Sequence, residues 1–258
     1  RGLGDVYKRQ GMGGRLDATT ALDYKACLIT NVGLDHTEYL GDTFEQIAYE
    51  KSGVFKPNVP ALTTEDKPEC QKVMELVADY MKTPLCFIDC QETDVLRWNG
   101  MTFHLNPPLY QAKNLSLALE TLNVLGIWLE ENEIQQVIDH FKWAGRYMVL
   151  RKDPLVLLDG AHNVHGITAL TQSLKDFTGK IYFSVLKEKD APHMIELLQS
   201  ISKDITLVEI SSARLYPLEK LGYPIITVDE LISRLLDTKE DSLLCGSLYY
   251  VGEVLEKW

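Results

Sequence analysis

The sequence predicts an α/β protein in two parts, and three observations carry that prediction. From Asp153 onward, short apolar strands alternate with amphipathic helices, the pattern of βαβ units on a parallel sheet. Ahead of that stretch the elements are more varied and include a hairpin signal, Asn99-Gly100, between two strand-like runs. The texture changes near Trp143-Ala144-Gly145, and a chain of 258 residues is long enough for about two domains.

Taken in order, residues 1–10 show neither a helical nor a strand period. From Asp5 they read like translated adapter sequence joined to a reading frame, so this segment is set aside as a scar. Gly11-Met12-Gly13-Gly14-Arg15-Leu16-Asp17 is a loop, because three glycines in four positions hold neither helix nor strand. Residues 26–30 form a buried strand ended by Asn31-Val32-Gly33. Asp42-Thr43-Phe44-Glu45 opens a helix as a capping-box variant with Asp42 as the cap, and Gly53 stops that helix. A strand over 59–63, a helix over 67–81 and a strand over 85–88 follow. The hairpin occupies 94–105, and Pro107-Pro108 precedes helices over 111–125 and 131–141. Beyond the junction the expected strands are 155–158, 181–185, 205–210, 225–228 and 243–244, with helices over 166–177 and 191–200 and further helical segments between the later strands.

Composition narrows the function. Lys and Arg number 26 against 37 Asp and Glu, a formal charge of −11. That balance argues against a nucleic-acid backbone as partner, since phosphodiesters are gripped by clustered cations, but it leaves room for a small anion in one positive pocket. No apolar run approaches the ~18 residues of a membrane span. The five cysteines contain no CxxC pair, which points to reduced thiols packed as small hydrophobes.

Several residues sit oddly in this frame. Phe44, Ile47 and Ala48 make one helical stripe, and Lys51 is the next position on it. A lysine turned inward would lose hydration and expose a neutral amine able to take up carbon dioxide as a carbamate; a lysine at a helix end can equally snorkel to solvent. Asp35-His36 follows a strand and a glycine turn, where α/β sheets bind ligands, and His36 reads as a metal ligand or as a loop histidine. Asp159, in Asp159-Gly160-Ala161-His162-Asn163, reads as a ligand for a ribose hydroxyl or an amine, or as a turn aspartate with Asn163 capping the next helix. Asn114 shares a stripe with Ala118, Leu122 and Leu125 and is expected to face inward. Arg146, at the junction, is a phosphate clamp or a solvated hinge residue.

Gly-Met-Gly-Gly-Arg-Leu-Asp-Ala-Thr (11–19), Ile-Thr-Asn-Val-Gly-Leu-Asp-His-Thr-Glu-Tyr-Leu-Gly-Asp-Thr (29–43), Glu-Lys-Ser-Gly-Val-Phe-Lys-Pro (50–57), Gly-Arg (145–146), Leu-Asp-Gly-Ala-His-Asn (158–163) and Gly-Ser-Leu-Tyr (246–249) occur in this order. Together they resemble the folylpolyglutamate synthase/dihydrofolate synthase family, cytosolic relatives of the Mur ligases. The resemblance runs from Gly11 to the C-terminus. It implies an α/β fold: the remainder of a P-loop-type Mur ligase central domain over 11–143, then a Rossmann-like Mur ligase C-terminal domain over 144–258.

The resemblance also implies a reaction, in which ATP phosphorylates a folate or dihydropteroate carboxylate and L-glutamate displaces phosphate. By the same resemblance His36 is a Mg²⁺ ligand, and Lys51 carries a carbamate beside a second metal. Asn114, Arg146 and Asp159 contact ATP, and Leu16, Asp17 and Ala18 contact the pterin substrate. His162 and Ser247 belong to the region where glutamate docks. A cytoplasmic monomer without nucleic-acid or membrane partners is implied.

This sequence departs from the family pattern in four places. The Gly-Lys-Ser phosphate loop and the magnesium-binding glutamate would lie upstream of Gly11, where position 9 is Arg9. Thr20 stands where the family has Asn, and Val164 where it has Pro. The expectation is therefore an N-terminally truncated chain that does not turn over alone, since nothing in it cradles the β- and γ-phosphates. A Mur ligase acting on a peptidoglycan precursor and a non-catalytic nucleotide- or glutamate-binding module are the alternatives.

Overall fold

A computed structural model of the chain describes residues 13–34, 36–106 and 108–258. The adapter-like segment 1–10, Gly11, Met12, Asp35 and Pro107 lie outside the described residues. The chain divides into two compact units, Arg1–Leu105 with Leu109–Gln136, and Asn106–Pro108 with Val137–Trp258. The junction expected at Trp143-Ala144-Gly145 lies a little beyond that division.

The first unit is built on a parallel sheet of β1 (Cys27–Ile29), β2 (Ala61–Thr63) and β3 (Leu85–Phe87), hydrogen-bonded in that order. The short helix α1 (Thr37–Leu40), not foreseen from sequence, follows β1; then come α2 (Phe44–Ser52) and α3 (Pro68–Met81). α3 starts with proline at its first turn, where a missing N–H costs nothing, and buries Cys70, Met74 and Ala78, one residue per turn. These meet Ile47, Ala48 and Phe55 from the α2 side to form the core. The hairpin β4 (Val95–Trp98) and β5 (Met101–His104) turns at Asn99 and Gly100, whose φ angles of 47° and 82° suit a type I′ turn. α4 (Gln111–Val124) and α5 (Glu131–His140) follow.

The second unit is a six-stranded sheet. β6 (Met148–Lys152) runs antiparallel to β7 (Leu155–Leu158), and the other pairings are parallel. α6 (Val164–Ser173), β8 (Lys180–Phe183), α7 (Ala191–Leu198), β9 (Ile205–Glu209), β10 (Ile225–Thr227), α8 (Val228–Asp237), β11 (Ser242–Cys245) and α9 (Leu248–Lys257) complete it. The order β10-β9-β8-β11-β7-β6 puts β11, late in sequence, between β7 and β8. Apolar layers cover both faces, as a parallel sheet requires. Leu157, Ile181 and Phe183 join α6 and α7 in one layer, while Val156, Leu158 and Tyr182 join α8 and α9 in the other.

Four expectations need correction. The cap of α2 is Thr43, whose hydroxyl accepts from the Gln46 amide at 3.3 Å, so the box is shifted by one residue from Asp42. α6 begins at Val164 instead of residue 166, because Asn163 caps it by accepting from the Gly166 amide at 2.8 Å. β6 was not foreseen. Asn114 faces out: the buried positions of α4 are Ala112, Ser116, Leu117 and Leu119, and Asn114 is exposed, donating to the side chain of Gln111 at 2.8 Å.

Candidate functional site

In the first unit the glycine-rich loop is pressed onto the end of α2. The amide of Arg15 donates to the Glu50 carbonyl at 2.9 Å. A Cβ on Gly14 would lie 2.5 Å from the Lys51 carbonyl oxygen, and one on Gly53 would lie 2.3 Å from the Arg15 Cα. Only glycine permits two backbones to approach so closely. The Arg15 side chain lies over Tyr49, donating to its hydroxyl at 3.0 Å. Asp17 caps a 3₁₀ turn, accepting from both the amide and the hydroxyl of Thr19, and these bonds hold its carboxyl below the ordinary value. Leu16 and Ala18 on either side are exposed. Lys51 is half-buried at the margin of the inner face of α2. The buried stripe runs instead through Ile47, Ala48 and Ser52, whose hydroxyl donates to the Ala48 carbonyl.

The carboxyl ends of β1 and β2 carry a second cluster. Glu65, 2% exposed, accepts from the Val32 amide with one oxygen and from the Lys67 amide (2.9 Å) and ammonium (3.1 Å) with the other. Thr64 donates to the Thr30 carbonyl at 2.7 Å. The segment so held leads into His36, exposed and left-handed at φ 52°, at the start of α1.

In the second unit the loop after β7 is stapled to residues 145–147. Asp159, 3% exposed, accepts from the Tyr147 amide with Oδ2 and from the Ala161 amide with Oδ1, each at 2.7 Å. The Gly160 amide donates to the Gly145 carbonyl at 2.7 Å. Burial pushes the Asp159 carboxyl up, against the two amides and the charges of Arg146 and His162. Each carboxylate oxygen retains a second lone pair for a hydroxyl or amine. A Cβ on Gly160 would lie 2.3 Å from Leu248 Cδ2 and 3.0 Å from both the Gly145 carbonyl oxygen and the Arg146 guanidinium, so the position has no room for a side chain. His162 Nδ1 lies 2.8 Å from the Gly160 carbonyl, which can only accept, so Nδ1 carries the proton and Nε2 is the remaining ring nitrogen. Ser247 is buried and caps α9, accepting from the Tyr249 amide at 3.2 Å.

No protein-family model matches the chain. A curated dihydrofolate synthase/folylpolyglutamate synthase of Buchnera aphidicola subsp. Acyrthosiphon pisum is 33% identical over 276 residues, covering 97% of this chain and 66% of the relative. That of Bacillus subtilis is 27% identical over 288 residues, covering 98% and 67%. Among solved structures, Escherichia coli FolC in complex with ADP matches with a TM-score of 0.82 at 29% identity, covering 96% of this chain and 65% of FolC. A Yersinia pestis bifunctional folylpolyglutamate synthase/dihydrofolate synthase complexed with AMPPNP and Mn ion also matches at 0.82, with 25% identity, covering 96% and 64%.

The chain belongs to the folylpolyglutamate synthase/dihydrofolate synthase family. It spans about two thirds of the length of the curated relatives it matches. Its α/β architecture, with a Rossmann-like second unit, is that of the family's Mur ligase-type fold.

Within this folylpolyglutamate synthase family chain, the expected site residues fall into local groups. Leu16, Asp17 and Ala18 lie on the loop bound to the α2 end that bears Lys51, and Arg146, Asp159 and His162 gather around Gly160. Ser247 caps α9 and Asn114 lies on the open face of α4. A cation bound with a nucleotide takes most of its ligands from phosphate and water, and one or two from protein. Among the described residues no group of three or more His, Cys, Asp or Glu side chains forms a metal cage. His36 has the donor chemistry for such a cation through its imidazole, whereas Lys51 would have it only as a carbamate. Sequence reasoning missed Glu65, although a carboxylate just past the end of β2 was open to the argument applied to Asp35 and Asp159.

Proposed function

We propose that this protein, in its full-length form, is a cytoplasmic, monomeric ATP-dependent ligase that joins L-glutamate to a carboxylate of dihydropteroate or of a folate glutamyl tail. The substrate carboxylate takes the γ-phosphoryl group of ATP, giving an acyl phosphate and ADP. The glutamate amine then attacks the acyl carbon, loses a proton and expels phosphate, leaving a new amide. Catalysis of such a transfer rests on positioning and on neutralising charge.

His36 would hold one divalent metal, and Lys51 would stand beside a second as the carbamate formed when its neutral amine adds carbon dioxide and releases a proton. Bound Mg²⁺ supplies the positive charge that offsets the phosphate oxygens. Arg146 and Asp159 contact the nucleotide, Arg146 through its guanidinium and Asp159 through its unused lone pairs, and Asn114 contributes from α4. Leu16, Asp17 and Ala18 line the pterin side, and His162 and Ser247 orient glutamate. The observation that carries this reading is the contact between the glycine-rich loop and the Glu50-Lys51 turn, which joins the substrate segment to the carbamate lysine. Solved relatives hold DHPP with ADP in one case and Mn, AMPPNP and L-glutamate in another, which supports the choice of substrates.

The test is incorporation of labelled glutamate into dihydropteroate or a folate by the full-length protein, given ATP and Mg²⁺. Incorporation into a muramyl precursor instead would overturn the folate assignment. Lys51→Ala should lose most activity and regain part of it with short carboxylates; wild-type rates in that variant would remove the carbamate from the mechanism.

A further inference from the structure

The segment between β1 and α1 is exposed at Asn31, Leu34 and His36, and its deepest anchor is Val32, which is wholly buried. The Val32 amide is taken by Glu65, a residue 33 positions later on another strand's end. The carboxylate of Glu65 is itself out of solvent, and its remaining oxygen is occupied by the amide and ammonium of Lys67. The Glu65 amide is held by the Thr63 hydroxyl at 3.0 Å and its carbonyl by the Gln71 side chain at 2.8 Å, so both backbone groups of this residue are fixed. A carboxylate so immobilised is a rigid acceptor, and charge-assisted bonds to backbone N–H groups are among the stronger ones. Thr64 adds a parallel tie to Thr30.

We propose that Glu65 is the positioning residue for the His36 segment, fixing through the Val32 amide where the imidazole stands at the carboxyl end of the sheet. The inference rests on the reading of His36 as a metal ligand. Both carboxylate oxygens of Glu65 are already engaged by protein donors, so its action is through the Val32 amide. Glutamine in its place keeps the size, but it loses the charge and has a single acceptor oxygen, so it cannot accept from the Val32 amide and from Lys67 at once. The segment then loosens while the sheet stays intact.

The experiment is Mn²⁺ titration of the full-length protein with AMPPNP, read by electron paramagnetic resonance, together with hydrogen exchange of amides 31–36. Outer partners that orient a metal ligand typically change affinity by about 10-fold or more. Glu65→Gln should weaken Mn²⁺ binding by roughly that factor and speed exchange in 31–36 selectively, and Glu65→Asp should recover part of both. Mn²⁺ affinity unchanged in Glu65→Gln but lost in His36→Ala would overturn this inference alone. Affinity unchanged in His36→Ala would overturn the metal reading and this inference with it. Should Glu65→Gln fail to fold, Thr64→Val severs the parallel tie. It should weaken Mn²⁺ binding to a lesser degree, and unchanged affinity there would count against the proposal.

Discussion

The amide of Arg15 donates to the carbonyl of Glu50, and through that bond two motifs 35 positions apart become one piece of structure. The glycines on either side explain the spelling of both motifs. Gly14 admits the carbonyls of Glu50 and Lys51, and Gly53 admits the backbone of Arg15. Lys51, at the centre of the proposed chemistry, is thereby set by a loop remote in sequence.

Gly53 has an ordinary right-handed conformation, so the objection to a side chain there is purely steric. Gly53→Ala should destabilise the first unit by roughly 1–3 kcal/mol, the range for overpacked sites, seen as a lower urea midpoint with unchanged slope. Gly252→Ala is the contrast. Its Cβ would meet nothing within 4 Å inside α9, and removing helical glycine should leave stability unchanged or raise it by up to about 1 kcal/mol.

Asp159 makes stability depend on pH in a direction that can be worked out. Burial raises its carboxyl above the ordinary 3.8, so the folded chain holds this proton at pH values where the unfolded chain has released it. Its contribution therefore favours folding below 3.8 and fades as pH climbs through the raised value. Denaturant unfolding of Asp159→Asn, compared with wild type from pH 3.8 upward, should show that falling component removed. Parallel profiles for the two proteins would refute the assignment.

Ser247 caps α9, and Ser247→Ala should cost about 1 kcal/mol of stability. Under the proposed function it also raises KM for glutamate. Thr227→Ala, which breaks the capping box of α8, should cost a similar amount with that KM unchanged. Equal KM behaviour in the two variants would reduce Ser247 to a helix cap.

The thiols should separate by depth. Cys27, Cys70 and Cys245 are buried, and burial raises all three, Cys27 to about 11 and Cys70 to about 12. Since the thiolate is the reactive form, a disulfide reagent at neutral pH should modify Cys86 and more slowly Cys90 in the native protein, and all five cysteines after denaturation. Rapid loss of five thiols under native conditions would contradict the packing.

What could be read from sequence was local. Asn99-Gly100 specifies its hairpin because the turn's positive φ angles are a property of those two residues. The strand–helix alternation after Asp153 reports a parallel sheet because period and apolar runs lie within each element. Choices between faces were not local. On α4 the stripe through Asn114 and Ala118 looks as buriable as the one through Ala112 and Ser116, and packing against β2 and β4 selected the second. The strand β6 shows little strand signal, and its pairing with β7 defines it.

The sequence by itself determined the alternation of elements, the turns, most helix ends and the family resemblance, since these follow from adjacent residues and their order. Only the tertiary structure decided that Glu65 reaches Val32, that the Arg15 amide reaches the Glu50 carbonyl and that Asp159 holds the amide of Tyr147. Each of these pairs a backbone group with a partner that chain order does not indicate, and burial makes an unpaired amide or carboxylate too costly to leave.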